Sequence, residues 1–261
     1  MKKEVKLINK IKHFLKQTNA PIYLHRFGPK TYKLWQHVFA LFIKANCQLS
    51  YRRTTKILRQ LGFIVASKST LQRYSAKLSL PFWKKLFRLS FDNVGEIVSI
   101  DGTALEKTRP SEHYIRRIDG KRPFHKGFHF STAVGQDGKI VSLRVRKSYT
   151  HDVRDVKNLY YNLPEKPKVI LMDKGYDAEY VHKFFRQKGI FSVAPVRKRA
   201  KHGFYRLNLK RKFPKELYNK RNIVESFFHA FKQKYGSCVN SKNIASARSE
   251  VYCRAIPHNI F

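Results

Sequence analysis

Apolar positions recur at helical spacing through the first ninety residues. Leu34, Val38, Leu41 and Phe42 share one face, as do Ile57, Leu58 and Leu61, and the opening MKKEVKLINKIKHFLKQ is basic and amphipathic. Residues 49–78 carry helix punctuation. Ser50 caps a helix running to about Gln60, Leu61-Gly62-Phe63 makes a turn with glycine as the stop, and Ser67 or Ser69 opens a second helix to about Leu78. Pro81-Phe82-Trp83 ends this unit and Asp92-Asn93-Val94-Gly95 forms a boundary. Residues 1–90 are therefore expected to be all-helical, with a helix-turn-helix at about 50–78.

Beyond the boundary the pattern alternates. Residues 96–100 form a short strand, and residues 128–134 and 140–145 flank Gly135-Gln136-Asp137-Gly138, which reads as a hairpin turn. A helix over 152–161, a buried-type strand over 168–172, a helix over 177–187 and a strand over 189–194 follow. A basic loop then leads to a long helix from about 215 to 235. The order βββαβαβα predicts an α/β fold, a sheet flanked by helices, over residues 94–261.

Charge changes the picture. The chain has 261 residues and a formal net charge of +38, from 55 Lys and Arg against 17 Asp and Glu. A genome rich in A and T would also raise Lys, Phe and Tyr, but it would scatter the acids evenly. No acid occurs from Val5 to Phe91 or from Tyr180 to Lys215, whereas 13 of the 17 fall between Asp92 and Glu179. Long phosphate-contacting surfaces thus flank a segment that needs carboxylates, and a polyanionic partner is implied. In the helix-turn-helix the second helix would enter the major groove, with Lys68, Ser69, Thr70, Gln72 and Arg73 placed to read bases. The three cysteines are far apart and form no C-x-x-C, which argues against a zinc site or a disulfide framework. No apolar stretch reaches membrane-spanning length and no secretory signal is visible.

Asp101 ends the first strand of this domain and Asp173 the fourth, in SIDGT and ILMDKGYD. If those strands are parallel neighbours, both carboxylates emerge at one sheet edge, and such oxygen donors suit Mg²⁺ or Mn²⁺. Asp101 before Gly102 also reads as a plain turn residue, Asp177 as a helix cap, and Asp152 and Asp155 as first-turn acids. On the last predicted helix, with Glu225 at zero, Tyr218 falls at about +20°, Arg221 at about −40° and Lys232 at about −20°. Val224, Phe228, Phe231 and Tyr235 form the stripe that would pack on the sheet. A surface Arg/Glu pair is the plainer account of Arg221 and Glu225.

These motifs resemble the prokaryotic insertion-sequence transposases of the DDE type. The family signature Tyr-x2-Arg-x3-Glu-x6-Lys is matched without a gap by Tyr218, Arg221, Glu225 and Lys232. Asp101-Gly102 and Asp173-Lys174-Gly175-Tyr176-Asp177 match its other two acidic motifs. The resemblance implies an RNase H-like catalytic domain over 94–261 with a mixed sheet. It implies Asp101, Asp173 and Glu225 as catalytic residues and ligands of two Mg²⁺ ions, with Mn²⁺ as substitute. Tyr218, Arg221 and Lys232, together with Arg197, Lys198 and Arg199, would bind DNA phosphates. The partner would be double-stranded DNA, as transposon terminal inverted repeats and target DNA, joined in a synaptic homodimer in the prokaryotic cytoplasm at the nucleoid. Only 51 residues separate Asp173 from Glu225, leaving no room for the large β-rich insertion of some members. The alternatives are a related metal-dependent nuclease and an inactive or domesticated transposase that only binds DNA.

Overall fold

In the computed structural model, which describes residues 2–25, 27, 30–107, 127–147, 151–241 and 243–261, the chain forms two units: Met1–Ser90 with Lys234–Phe261, and Phe91–Gln233. The first unit opens with helices α1 (Lys2–Gln17), α2 (Leu34–Asn46), α3 (Tyr51–Gln60), α4 (Lys68–Lys77) and α5 (Leu80–Arg88). Ser50 and Ser67 cap α3 and α4, accepting hydrogen bonds from the backbone of Arg53 and Thr70. Gly62 closes α3 at φ +80°, a left-handed conformation that favours glycine. The helix-turn-helix segment ends with α4, and the helical unit goes on beyond it. Ser79 caps a further helix, and the proline sits in its first turn, where its missing N–H costs nothing.

The second unit is built on five strands: β1 (Ile97–Lys107), β2 (Phe128–Gly135), β3 (Ile140–Arg146), β4 (Val169–Met172) and β5 (Phe191–Val193), in the spatial order β3-β2-β1-β4-β5. β1, β2 and β3 pair antiparallel, while β4 is parallel to both β1 and β5. The sheet is mixed, and β1 is interior to it. Helices α6 (Val156–Tyr161), α7 (Glu179–Gln187), α8 (Phe204–Arg211), α9 (Lys215–Asn219) and α10 (Asn222–Tyr235) complete the unit.

Alternation along β2 shows that helices cover both sheet faces. Phe130 packs on Phe228 and Phe231 of α10, with ring centroids 6.0 and 5.5 Å apart. Its neighbour Ser131 points the other way and donates a 2.5 Å hydrogen bond to Asp155, at the start of α6. Val224, Phe228, Phe231 and Tyr235 are buried as the stripe required, and Phe227 joins them.

Two elements depart from the periodicity. β1 does not stop at Ile100 but runs on to Lys107, because Asp101–Leu105 pair with the start of β2. Asp101-Gly102 is therefore extended strand, not a turn. The long helix expected over 215–235 is broken between α9 and α10, at Lys220 and Arg221. A tight turn replaces the missing helical turn: Arg221 N–H donates to Tyr218 O at 2.9 Å and Val224 N–H to Arg221 O at 3.0 Å.

A final helix, α11 (Ile244–Ile260), packs into the first unit against α2, α4 and α5. Trp83 of α5, wholly buried, donates from Nε1 to Ser249 Oγ at 3.0 Å, and Asn259 donates to Ser90 Oγ at 3.0 Å. Within α11 the buried Arg254 donates to Glu250 Oε1 at 2.7 Å and to Cys238 O at 2.8 Å. No α11 is visible in the periodicity, because residues 249–257 are buried all round. Among the described residues no helix is long and apolar enough to cross a membrane.

Candidate active site

The register of β1 and β4 brings two of the three acids together. Ile97 pairs with Val169 and Ile100 with Met172, so Asp101 and Asp173 are the next residues on two parallel neighbours, at the same end of the pair. Neighbouring strands lie about 4.8 Å apart, so the two carboxylates share one electrostatic environment. Burial pushes the Asp101 carboxyl above its ordinary value, opposed by the Gly102 N–H and Arg221, with the Asp173 and Asp152 charges adding to the rise. The Gly102 N–H donates to Asp101 Oδ1 at 2.8 Å.

Gly102 has a steric reason to be glycine. A Cβ there would lie 2.9 Å from His129 Nε2 and 3.5 Å from Asp152 Cγ. Behind it, His129 Nε2 is 2.9 Å from Asp152 Oδ1, a contact that holds the Asp152 carboxyl below its ordinary range. Asp155, fully buried, accepts from Ser131 Oγ and from Arg146 Nε at 2.8 Å, and Arg144 Nη1 lies 3.1 Å away. Asp152 and Asp155 do stand at a helix start, yet their side chains fasten α6 to β2 and β3. Nothing in the sequence spacing points to His129 as their partner.

Glu225 reaches the pair through an arginine. Arg221 Nη1 donates to Asp101 Oδ2 at 3.3 Å while Nη2 donates to Glu225 Oε1, so one guanidinium bridges the two carboxylates. It also lies over the Tyr218 ring, 5.7 Å from the centroid. Burial opposes the Arg221 charge, but Tyr218, Asp101, Glu225 and Asp173 outweigh it and hold its pKa above the ordinary value. Glu225 is the most open of the acids, with 56% of its side chain exposed against 22% for Asp101. Lys232, two turns further along α10, donates from Nζ to Thr103 Oγ1 at 2.5 Å. Thr103 is two residues beyond Asp101 on the same face of β1. Arg221 and Lys232 thus bond directly to Asp101 and Thr103 of β1, while Glu225 and Tyr218 are joined to them through Arg221.

Among the described residues no three His, Cys, Asp or Glu side chains are already grouped as a metal cage. The Tyr176 hydroxyl is buried without a hydrogen-bond partner. Burial pushes its pKa well up, and the charges of Asp152, Asp101, Asp155 and Asp173 add to the rise.

Arg197, Lys198 and Arg199 are exposed on the loop between β5 and α8. Asp177 holds that loop and does not cap α7: it accepts from the Arg197 N–H at 2.9 Å and from Arg206 Nε and Nη2, both at 2.7 Å. In the other unit Lys68, Ser69, Gln72 and Arg73 are exposed on α4 and Thr70 is half-buried. The hydroxyls of Ser69 and Thr70 lie 3.1 and 2.9 Å from Ser67 Oγ, within the cap of that helix.

The chain was compared with known proteins. Among solved structures it is similar to a piggyBac transposase synaptic complex with hairpin DNA, at 12% identity and a TM-score of 0.50, covering 97% of this chain and 73% of that one. A Mos1 transposase paired-end complex with left transposon end aligns at 14% identity and a TM-score of 0.28, covering 97% and 75%. No curated protein sequence matches. The sheet order and flanking helices are those of the RNase H-like fold. The family model described as "Transposase DDE domain" matches residues 92–260, well over half of the chain, and the protein belongs to that family.

Proposed function

We propose that the protein is the transposase of a prokaryotic insertion sequence, cutting transposon ends and joining the freed 3′-OH to target DNA, with Asp101, Asp173 and Glu225 as its catalytic carboxylates. The observation that carries this reading is the in-register placement of Asp101 and Asp173 on β1 and β4, with Arg221 tying Asp101 to Glu225.

The donor set fits a hard divalent cation. It is all oxygen, the Asp173 charge adds to the cost of ionising Asp101, and the buried Tyr176 hydroxyl, whose pKa both charges push up, lacks a hydrogen-bond partner. Asp101, Asp173 and Glu225 would hold two Mg²⁺, or Mn²⁺ in its place. Such ions lower the pKa of attacking water and stabilise a leaving 3′ oxygen. Arg221 engages only Oε1 of Glu225, so Oε2 is the oxygen open to an ion while the bridge stands, and release of the bridge would free both. An incoming phosphate could take both guanidinium N–H groups as a bidentate acceptor in place of the two carboxylates, so DNA binding would compete with the bridge. Lys232 would act as a point charge beside it, and the Tyr218 ring, 5.7 Å from the guanidinium carbon, gives that cation an aromatic face.

Arg197, Lys198 and Arg199 would track the DNA backbone, while Lys68, Ser69, Thr70, Gln72 and Arg73 of α4 would read base edges in the terminal repeats. Two ends must be joined, which calls for a homodimer in the synaptic complex. The location would be the cytoplasm at the nucleoid.

A strand-transfer assay on duplexes carrying the flanking inverted repeats, with Mg²⁺, tests the proposal. Asp101→Asn, Asp173→Asn and Glu225→Gln should each abolish both cutting and joining, and chelation should do the same. Cutting without joining would make the protein a nuclease, and binding without cutting a DNA-binding regulator. Undiminished transfer by all three variants would remove these residues from the chemistry.

A further inference from the structure

The basic segment from Arg197 to Arg206 is not a loose loop. Its two ends are fastened to the two acids just after Asp173. Asp177, wholly buried at its side chain, binds the Arg197 backbone N–H and the Arg206 fork through three hydrogen bonds of 2.7–2.9 Å. Glu179 accepts from the backbone N–H of Tyr205 at 3.1 Å and of Arg206 at 3.2 Å, the first turn of α8. Gly203 makes this approach possible. It adopts φ +104°, and a Cβ there would collide with the Glu179 carboxylate. Lys210 closes the far side, donating from Nζ to Lys198 O at 3.0 Å and Ala200 O at 3.3 Å.

These contacts use up the acids and the inward-facing cation, Arg206. Arg197, Lys198, Arg199 and Lys201 are left exposed, with no carboxylate paired to them among the described residues, on a backbone held at both ends. We propose that Asp177 and Glu179 are positioning residues that fold residues 197–211 into a preformed cationic platform for one DNA strand, in fixed register with Asp173. The proposal rests on the reading that Arg197, Lys198 and Arg199 meet phosphates. It assigns a task to the second acid of the DKGYD segment: an ion pair that orders other cations and takes no part in the chemistry.

Preordering matters because a free basic loop must give up backbone entropy on each encounter, whereas a folded one does not. The measurement is the salt dependence of binding of a fluorescent DNA duplex to the whole protein, by anisotropy between about 50 and 200 mM salt. Each phosphate contact adds about 0.9 to the slope of log K against log salt. Replacing Arg197, Lys198 and Arg199 together by Ala should therefore lower the slope by about 2 to 3. Asp177→Asn, which leaves every one of those cations in place, should lower it by a similar amount, and combining the two changes should add little.

If the triple variant lowers the slope and Asp177→Asn keeps the slope of the unaltered protein, the positioning role is wrong while the phosphate reading stands. If the triple variant itself changes nothing, the phosphate reading fails and takes this inference with it. A purely structural role for Asp177 would lower the melting temperature without moving the slope. Should Asp177→Asn not fold, Glu179→Gln, which loosens only the α8 end, decides by the same comparison, with a smaller expected fall.

Discussion

Burial keeps His37 neutral at physiological pH. The side chain is 3% exposed on α2, stacked on Tyr74 with ring centroids 4.1 Å apart and set near Tyr32 and His25. Burial first, and the His25 charge second, push its pKa from 6.5 down to about 4. In the unfolded chain the same ring takes up a proton as pH drops through 6.5, and in the folded unit it does not. The folded state therefore loses stability as pH falls from about 6.5 to about 4, by at most about 3 kcal/mol. His182, buried and bonded to Ser192 Oγ at 2.9 Å, has its pKa lowered by burial and contributes with the same sign. Urea midpoints at pH 7, 5.5 and about 4 should show His37→Phe losing stability less steeply than the unaltered protein; parallel pH profiles would mean that His37 titrates normally.

At the scale of elements, what could be read from the sequence was what local chemistry decides. Ser50, Gly62 and Ser67 bound α3 and α4 because a hydroxyl cap and a left-handed glycine act over three or four residues. The hairpin of β2 and β3 was legible from its Gly-bounded turn. Asp101 and Asp173 were legible as candidates, but their adjacency was not, since only the parallel register of β1 with β4 creates it. The extension of β1 through Gly102 was hidden for a related reason: Asp-Gly looks like a turn, and the close approach of His129 that demands glycine there is a tertiary fact. A helical wheel also assumes an unbroken helix, so it could not show the interruption at Lys220 and Arg221. The cap on α4 gives a direct test. Ser67→Ala removes the acceptor for the Thr70 N–H and should cost about 1 kcal/mol in urea unfolding, where Ser69→Ala should cost less than about 0.5. Equal losses would place the cap elsewhere.

At the scale of the whole molecule, sequence and packing divide the chain differently. The pattern of elements, like the family model, runs the catalytic segment to the end of the chain, yet residues 234–261 pack with residues 1–90. That helical unit holds only two acids, Glu4 and Glu250, and Glu250 is spent on Arg254, the Asn240 N–H and Ser241. Its surface is thus almost purely cationic, and self-repulsion must be outweighed by the core. α11 supplies much of that core: Val251, Ala255 and Ile256 are fully buried, and Tyr252 meets Phe87 with ring centroids 5.6 Å apart. At roughly 1.5–3 kcal/mol per large apolar side chain, losing α11 removes on the order of 5–10 kcal/mol, comparable to the entire stability of a small domain. Residues 1–90 alone should accordingly melt without a cooperative transition and bind an apolar dye. The same residues joined to 234–261 by a flexible linker should melt cooperatively and bind duplex DNA with a steep salt slope. A cooperative transition at the same temperature in both would show that α11 is dispensable, and Trp83→Ala, which opens the α5–α11 contact, would then cost the linked form nothing beyond what it costs residues 1–90 alone.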